Sequence, residues 1–244
     1  MSTTPPTFAI VWVIYGTSPE KRRRMQAWAQ QCGASLQIIL NNSEVGIQPD
    51  EQPGSNRAFE FSGYLEGLAL LPHDFRGPVL VVNDTLLANH WAEGWGWLLT
   101  EFLKLHAKLE KGAVYGDWRP PVAGVPELQQ PFYASWIFWC VDRQAANFFK
   151  EQLELLLKED LPPVSTEYNA FIKQWLSGKS KWKGWHQKAD GMSYARKAYC
   201  IRLEHRLSQQ LSSKGQIMSF GRILPWPYRG LRWIDRARTF LKRW

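Results

Sequence analysis

Asp84 is the residue whose type and setting could most directly do chemistry. It lies in Gly77 to Leu87, GPVLVVNDTLL, where Val79 to Val82 run into Asn83-Asp84-Thr85. A short apolar run bounded by Gly-Pro and by turn formers predicts a strand buried on both faces. Strands of that kind belong to parallel sheets covered by helices. Ligands of such sheets gather at the carboxyl ends of the strands, which is where this reading puts Asp84. A carboxylate there, with an amide before it and a hydroxyl after it, can hold a metal or a sugar hydroxyl; it can equally cap the turn that follows. The loop Gly178 to Asp190, GKSKWKGWHQKAD, is the second such stretch. Its Lys179, Lys181, Lys183 and His186, interleaved with Trp182 and Trp185, suit phosphate contact and ring stacking. The same composition also describes a solvated surface loop.

The elements that must position these groups are legible from apolar patterning. Phe8 to Tyr15, FAIVWVIY, reads as a first buried strand ending at Gly16-Thr17. Ser18 is a good N-cap, with Pro19 at the first helical position, and Met25, Trp28, Ala29 and Cys32 follow at helical spacing up to Gly33. Ala34 to Leu40 is a second strand, closing on Asn41-Asn42-Ser43. This strand, helix, strand unit predicts a right-handed crossover in a parallel sheet. Val45 to Ser55 is a polar loop, and a helix is expected from about Asn56 to Leu71, with Glu60, Gly63 and Gly67 on a face suited to close backbone approach. After the Val79–Val82 strand come a helix over His90 to His106, a short strand ending in Gly116-Asp117-Trp118, and a Pro-rich loop to Pro131. Phe132 to Val141 reads as another buried strand. Asp142 caps an amphipathic helix, a further helix opens near Ser165 with Glu167 in its first turn, and the last long helix spans about Ser193 to Ser212.

Composition narrows the class. At 244 residues, with 45% hydrophobic content, the chain can bury one substantial core. Lys and Arg balance Asp and Glu over residues 1–200, so the formal excess of +8 lies wholly in residues 201–244, which carry ten basic and two acidic side chains. Three widely spaced cysteines suit a reducing compartment, and no apolar run is long enough for a signal peptide or a membrane span. The expectation is a cytoplasmic protein, or one lying on the cytosolic face of a membrane. There is no Walker loop, no GxGxxG after the first strand, no HExxH, no GxSxG and no paired-cysteine metal site. The five histidines are scattered.

What remains has an order. The first strand ends in a small-residue turn, the second in NNSE, a helix opens with GSNRAFEFSGYLEGL, and the third strand ends in VVNDT. In this order residues 8–90, and more loosely the chain to about 200, resemble the nucleotide-sugar-binding half of GT-A glycosyltransferases, in particular bacterial family-2-like and rhamnan-synthesis-like members. The resemblance implies a GT-A-like (Rossmann-like) three-layer αβα fold over residues 1–200. It implies donor contacts from Tyr15, Gly16, Thr17, Asn41, Asn42, Arg57, Asn83 and Asp84, joined by Lys181, Lys183 and His186. It also implies a divalent metal, Mn or Mg, on Asp84, and a base for the acceptor hydroxyl, for which Glu167 and Asp117 compete. Where the family pattern carries Asp-x-Asp, this chain has Asn83-Asp84-Thr85, and Arg57 and Glu60 stand where the family often has Arg and Asn.

Residues 201–244 read as a separate basic tail ending in an amphipathic helix. Leu231, Ile234, Ala237, Leu241 and Trp244 form one stripe, and Arg232, Arg236 and Arg243 another side. Trp with Arg favours an anionic membrane interface; nucleic acid, or docking on the chain's own domain, are the other readings of the same residues. The expected activity is hexosyl transfer from a nucleotide sugar to a lipid-linked or polysaccharide acceptor, without nucleic acid as a partner. Against it stand a non-catalytic nucleic-acid-binding protein and a GT-A fold that binds sugar without turnover.

Overall fold

Strand β1 (Phe8–Ile14) runs through the middle of the molecule with all seven side chains buried. The structure is a computed structural model and describes residues 7–16, 18–43, 46–177 and 191–241. Because side chains alternate across a strand, β1 feeds two cores at once. Phe8, Ile10, Trp12 and Ile14 join one apolar cluster, and Ala9, Val11 and Val13 join the other. Helix α1 (Pro19–Cys32) covers the first face. It is capped by the Ser18 side chain, which accepts from the Lys21 N–H, and it stops at Gly33, whose φ of 80° is left-handed.

The chain then adds β2 (Ala34–Asn41) and the two-residue β3 (Gln52–Pro53) on one flank, both parallel to their neighbours. Helix α2 (Glu60–Ala69) covers the second face. It lies unusually close to β1: a Cβ on Gly67 would sit 2.3 Å from Val11 Cγ1, and one on Gly63 2.8 Å from Val13 Cγ1. The close approach expected from those two glycines is therefore realised. The helix starts at Glu60, four residues later than its periodicity suggests. Asn56 and Phe59 hold φ values of 49° and 53°, and Asn42 Nδ2 donates to the Phe59 carbonyl at 2.9 Å, so a tertiary contact sets the boundary.

Strand β4 (Val79–Asn83) pairs parallel with β1 on its other side. The helical stretch after it is broken into α3 (Thr85–Asn89) and α4 (Ala92–Lys104). Strands β5 (Val114–Arg119) and β6 (Phe132–Cys140) come next, then α5 (Arg143–Lys158), capped as expected by the Asp142 side chain on the Ala145 N–H. Helix α6 (Thr166–Leu176) is capped by Ser165, and α7 (Gly191–Ser213) follows. Among the described residues the sheet has seven strands in the order β3-β2-β1-β4-β6-β5-β7, with β7 (Ile217–Ser219) at the far edge. It is mixed rather than wholly parallel, since β6 runs antiparallel to both β4 and β5. The Pro-rich loop between β5 and β6 contains no crossover helix, so the chain returns alongside itself.

Residues 201–241 are part of this body. β7 pairs with β5. After α8 (Phe220–Ile223), the long α9 (Pro225–Leu241) buries Tyr228 and Leu231 in the same cluster as α1 and α4. Of the stripe read from the sequence, Leu231 is turned inward and Ile234 and Ala237 are half-buried, while Trp244 and Arg243 lie outside the described residues. Cys32, Cys140 and Cys200 are buried and unpaired.

A third cluster joins α6, the turn Pro126–Leu128 and α7. His205 is buried within it, with Tyr168 Oη 2.6 Å from its Nδ1 and the Phe132 ring edge-on at 4.5 Å. Burial pushes the imidazole down to about 3. From about pH 6.5 downward the unfolded chain takes up a proton that the folded chain refuses, so this site removes up to about 1.4 kcal/mol of stability per pH unit across that window. His205→Gln should flatten the fall of the urea midpoint between about pH 6.5 and pH 4.5, whatever its effect at neutral pH. An unchanged slope would show that His205 is not the group responsible.

Candidate functional site at the sheet's switch point

The strand order reverses at β1, with β2 on one side and β4 on the other, and the crevice outside their carboxyl ends is where open sheets of this type take ligands. Asp84 is the first residue past β4 there. Its N–H donates to the Val13 carbonyl at 3.1 Å, which continues the β1–β4 ladder and fixes where the carboxylate stands. Its side chain makes no helix cap on α3. Instead, Oδ2 accepts the Tyr15 N–H at 3.1 Å and the Lys21 ammonium at 2.5 Å. Lys21 Nζ also donates to the Gly16 carbonyl at 2.8 Å. The β1–α1 turn and the end of β4 are therefore tied through one carboxylate and one ammonium. Side-chain exposures of 23% for Lys21 and 19% for Asp84 leave the pair partly open to solvent.

The next strand end shapes this turn. Asn41 is buried, and its Oδ1 accepts from the N–H groups of Gly16 (3.2 Å) and Ser43 (3.0 Å), while Nδ2 donates to Glu51 Oε2 at 2.8 Å. Glu51 also takes the Gln48 N–H. Asn42 holds the Phe59 carbonyl, and its Oδ1 is packed so tightly against Gly54 that a Cβ there would come within 1.9 Å. Asn83 Oδ1 folds back to accept from the Thr85 N–H at 3.0 Å. Tyr15, Gly16, Asn41, Asn42, Asn83 and Asp84 are thus gathered at one edge, but Asn41 and Asn42 are used to hold loops. Arg57 is exposed on the segment before α2. Thr17, Lys181, Lys183 and His186 lie outside the described residues.

Two further polar groups frame the edge. On the α2 side, the Ser135 hydroxyl donates to Glu60 Oε1 at 2.7 Å and the Ser135 N–H to Glu204 Oε2 at 2.8 Å; burial holds the Glu204 carboxyl above its usual range. On the α9 side, Asp117 is completely buried and receives Trp136 Nε1 (2.9 Å), Tyr228 Oη (2.8 Å), Arg232 Nη1 (2.8 Å) and Arg119 Nη2 (2.8 Å). Burial acts to raise its carboxyl, yet the two guanidinium groups prevail and hold it below the ordinary carboxylate range. A carboxylate with four donors and a lowered proton affinity is a tether between β5, β6 and α9. Glu167 is exposed in the first turn of α6, on the helix that packs against α7 and the Pro126–Leu128 turn.

Sequence reasoning did not single out His90, Asp235 or Lys21. His90 stacks on the Trp136 ring (centroids 3.8 Å apart, 15° between planes) and its Nδ1 lies 2.7 Å from Asp235 Oδ2. Asp235 also accepts from the Trp91 N–H and Trp95 Nε1. A carboxylate on Nδ1 fixes the orientation of the imidazole, as in a histidine held for proton transfer. The partners are separated by 145 residues in the chain, so no local signal announces the pair. Lys21 reads in isolation as one of four consecutive basic residues on a helix surface.

The donor set at Asp84 is poor for a divalent cation: one carboxylate can hold Mg together with phosphate and water oxygens, but Oδ2 here already accepts an ammonium, and Asn83 is turned away. Among the described residues, no three His, Cys, Asp or Glu side chains converge as a metal site would require.

Together these features define a Rossmann-like α/β protein with a cluster of fixed polar groups at its switch point. No protein-family model matches the sequence, and no curated protein matches it significantly.

Proposed function

We propose that this protein is a GT-A-type glycosyltransferase that moves a hexosyl group from a nucleotide sugar to a lipid-linked or polysaccharide acceptor in cell-surface polysaccharide biosynthesis. The observation that carries the reading is Asp84 at the switch point, bonded to the β1–α1 turn where a donor's diphosphate would lie. Its support in the fold is a parallel half, β3-β2-β1-β4, continued by a half with one reversed strand. In the reaction the bond from the anomeric carbon to the diphosphate oxygen breaks, its electron pair leaves with the diphosphate, and the acceptor oxygen bonds to that carbon. The acceptor's proton needs a base. Asp117 is spent on four donors and Glu167 stands on a separate cluster, so His90, oriented by Asp235, fits that role best.

Placement at the inner face of the cell membrane is supported by the outer side of α9. Trp226 and Trp233 are 78% and 71% exposed, seven residues apart on one side of the helix. Arg229 lies over the Trp226 ring at 5.7 Å, and Arg236 and Arg238 are exposed. Aromatic rings with arginines suit an anionic headgroup layer. No helix of the described residues is long and apolar enough to cross a membrane.

A thermal-shift panel of nucleoside diphosphates and nucleotide sugars tests the reading. One base family should raise the Tm by a few degrees, as a ligand of the native state must, and Asp84→Ala should lose both that shift and sugar transfer while still melting cooperatively. A silent panel would overturn the proposal. With the donor identified, His90→Gln should lower transfer by about 10²–10⁴-fold and leave donor binding unchanged; equal turnover would remove His90 from the mechanism. Cosedimentation with phosphatidylserine-containing vesicles should exceed that with phosphatidylcholine alone, fall with salt, and drop in Trp226→Ala/Trp233→Ala. Binding to oligonucleotides with none to vesicles would point to nucleic acid instead.

A further inference from the structure

We infer that Lys21 supplies the positive charge that holds the donor's diphosphate, in the place where a divalent metal was expected, so that nucleotide binding needs no metal. The inference rests on the glycosyltransferase reading and specifies how its donor site works. An ammonium has three N–H donors. Two of them are spent, on Asp84 Oδ2 at 2.5 Å and on the Gly16 carbonyl at 2.8 Å, and the third remains for a ligand in a side chain still 23% exposed. Both fixed partners belong to the switch-point crevice, so the ammonium is aimed by the fold rather than free to sample its rotamers. It sits in the first turn of α1, where the helix dipole adds to the attraction for an anion.

The neighbouring carboxylates are otherwise employed. Glu51 binds Asn41 and Gln48, Glu60 binds Ser135, and Asp117 binds two arginines. None of them joins Asp84 in a shared ligand set for a metal. Asp84 is therefore a positioning residue, and Lys21 is the group that touches the diphosphate. During transfer, negative charge grows on the leaving oxygen, and an ammonium already in place stabilises it with no proton transfer required.

The test is titration of the full-length protein with inorganic pyrophosphate and with UDP, GDP, ADP and dTDP, by calorimetry, in EDTA and again in MnCl2. At least one diphosphate should bind with the same affinity in both. Lys21→Met should weaken it by about ten- to a hundredfold, the scale of one charge-assisted hydrogen bond, and Lys21→Arg should restore much of the loss. Because Lys21→Met leaves Asp84 without its partner, Lys21→Met/Asp84→Asn provides a neutral pair; it should fold and still bind weakly. Binding that requires manganese, or that is equally tight in Lys21→Met, would overturn this inference while leaving the glycosyltransferase reading intact. If no diphosphate binds under either condition, both fall together.

Discussion

The Asp84 carboxylate is the point through which the halves of the sheet's carboxyl edge are coupled. Strands β1 and β4 are joined along their length by backbone hydrogen bonds, but past Val13 and Asn83 the two chains diverge, one into the α1 turn and the other into α3. The Asp84 N–H on Val13 and its Oδ2 on the Tyr15 N–H extend the pairing by one more step. Lys21 then closes the turn from above. A charge-assisted contact of this kind is stronger than a neutral one, and partial burial shields it from the screening that makes surface pairs weak. This strand edge consequently presents fixed polar groups, which is the condition for binding a charged ligand without reorganising.

The same edge is secured from the far side by Asp117. Two arginines from different elements, a tyrosine hydroxyl and an indole N–H converge on it, and two of those donors come from α9. Breaking such a buried network by removing one partner typically costs about 3–5 kcal/mol, so the C-terminal helix is held by polar as well as apolar contacts. This makes α9 and the site mutually dependent. Asp235, on α9, sets the orientation of His90, which begins only six residues beyond Asp84 in the chain. A helix that reads as an appendage from its charge is part of the framework around the crevice.

Much of this framework was legible in the sequence where the governing interaction is local. The caps at Ser18 and Asp142, the helix start near Ser165, the stop at Gly33 and the buried run of β1 all follow from neighbours within a few residues. The position of Asp84 at a strand end was equally readable, as was the close approach allowed by Gly63 and Gly67. What escaped is what distant partners decide. The direction of β6 depends on which strands it meets, the start of α2 on Asn42 seventeen residues before Phe59, and the meaning of Lys21 on a carboxylate 63 residues away. His90 looked like one scattered histidine because Asp235 and Trp136 are brought to it only by the folded sheet and α9.

The two sides of α9 answer to different constraints, and this explains its composition. Its inward side carries Tyr228, Leu231, Arg232 and Asp235, each matched to a specific partner in the body. Its outward side has no such obligation, yet it keeps two tryptophans largely in water. Indoles this exposed bury little of their apolar surface in the fold. Their combination with arginines on one helical side acquires a physical purpose when that side meets an interface that is apolar and anionic together. Because the inward side of the same helix orients His90 and tethers β5, a surface bound to α9 would hold the Asp84 edge in a fixed attitude toward it. On the glycosyltransferase reading proposed above, an acceptor anchored in that surface would then be held in a fixed relation to the site, which is how positioning lowers a barrier.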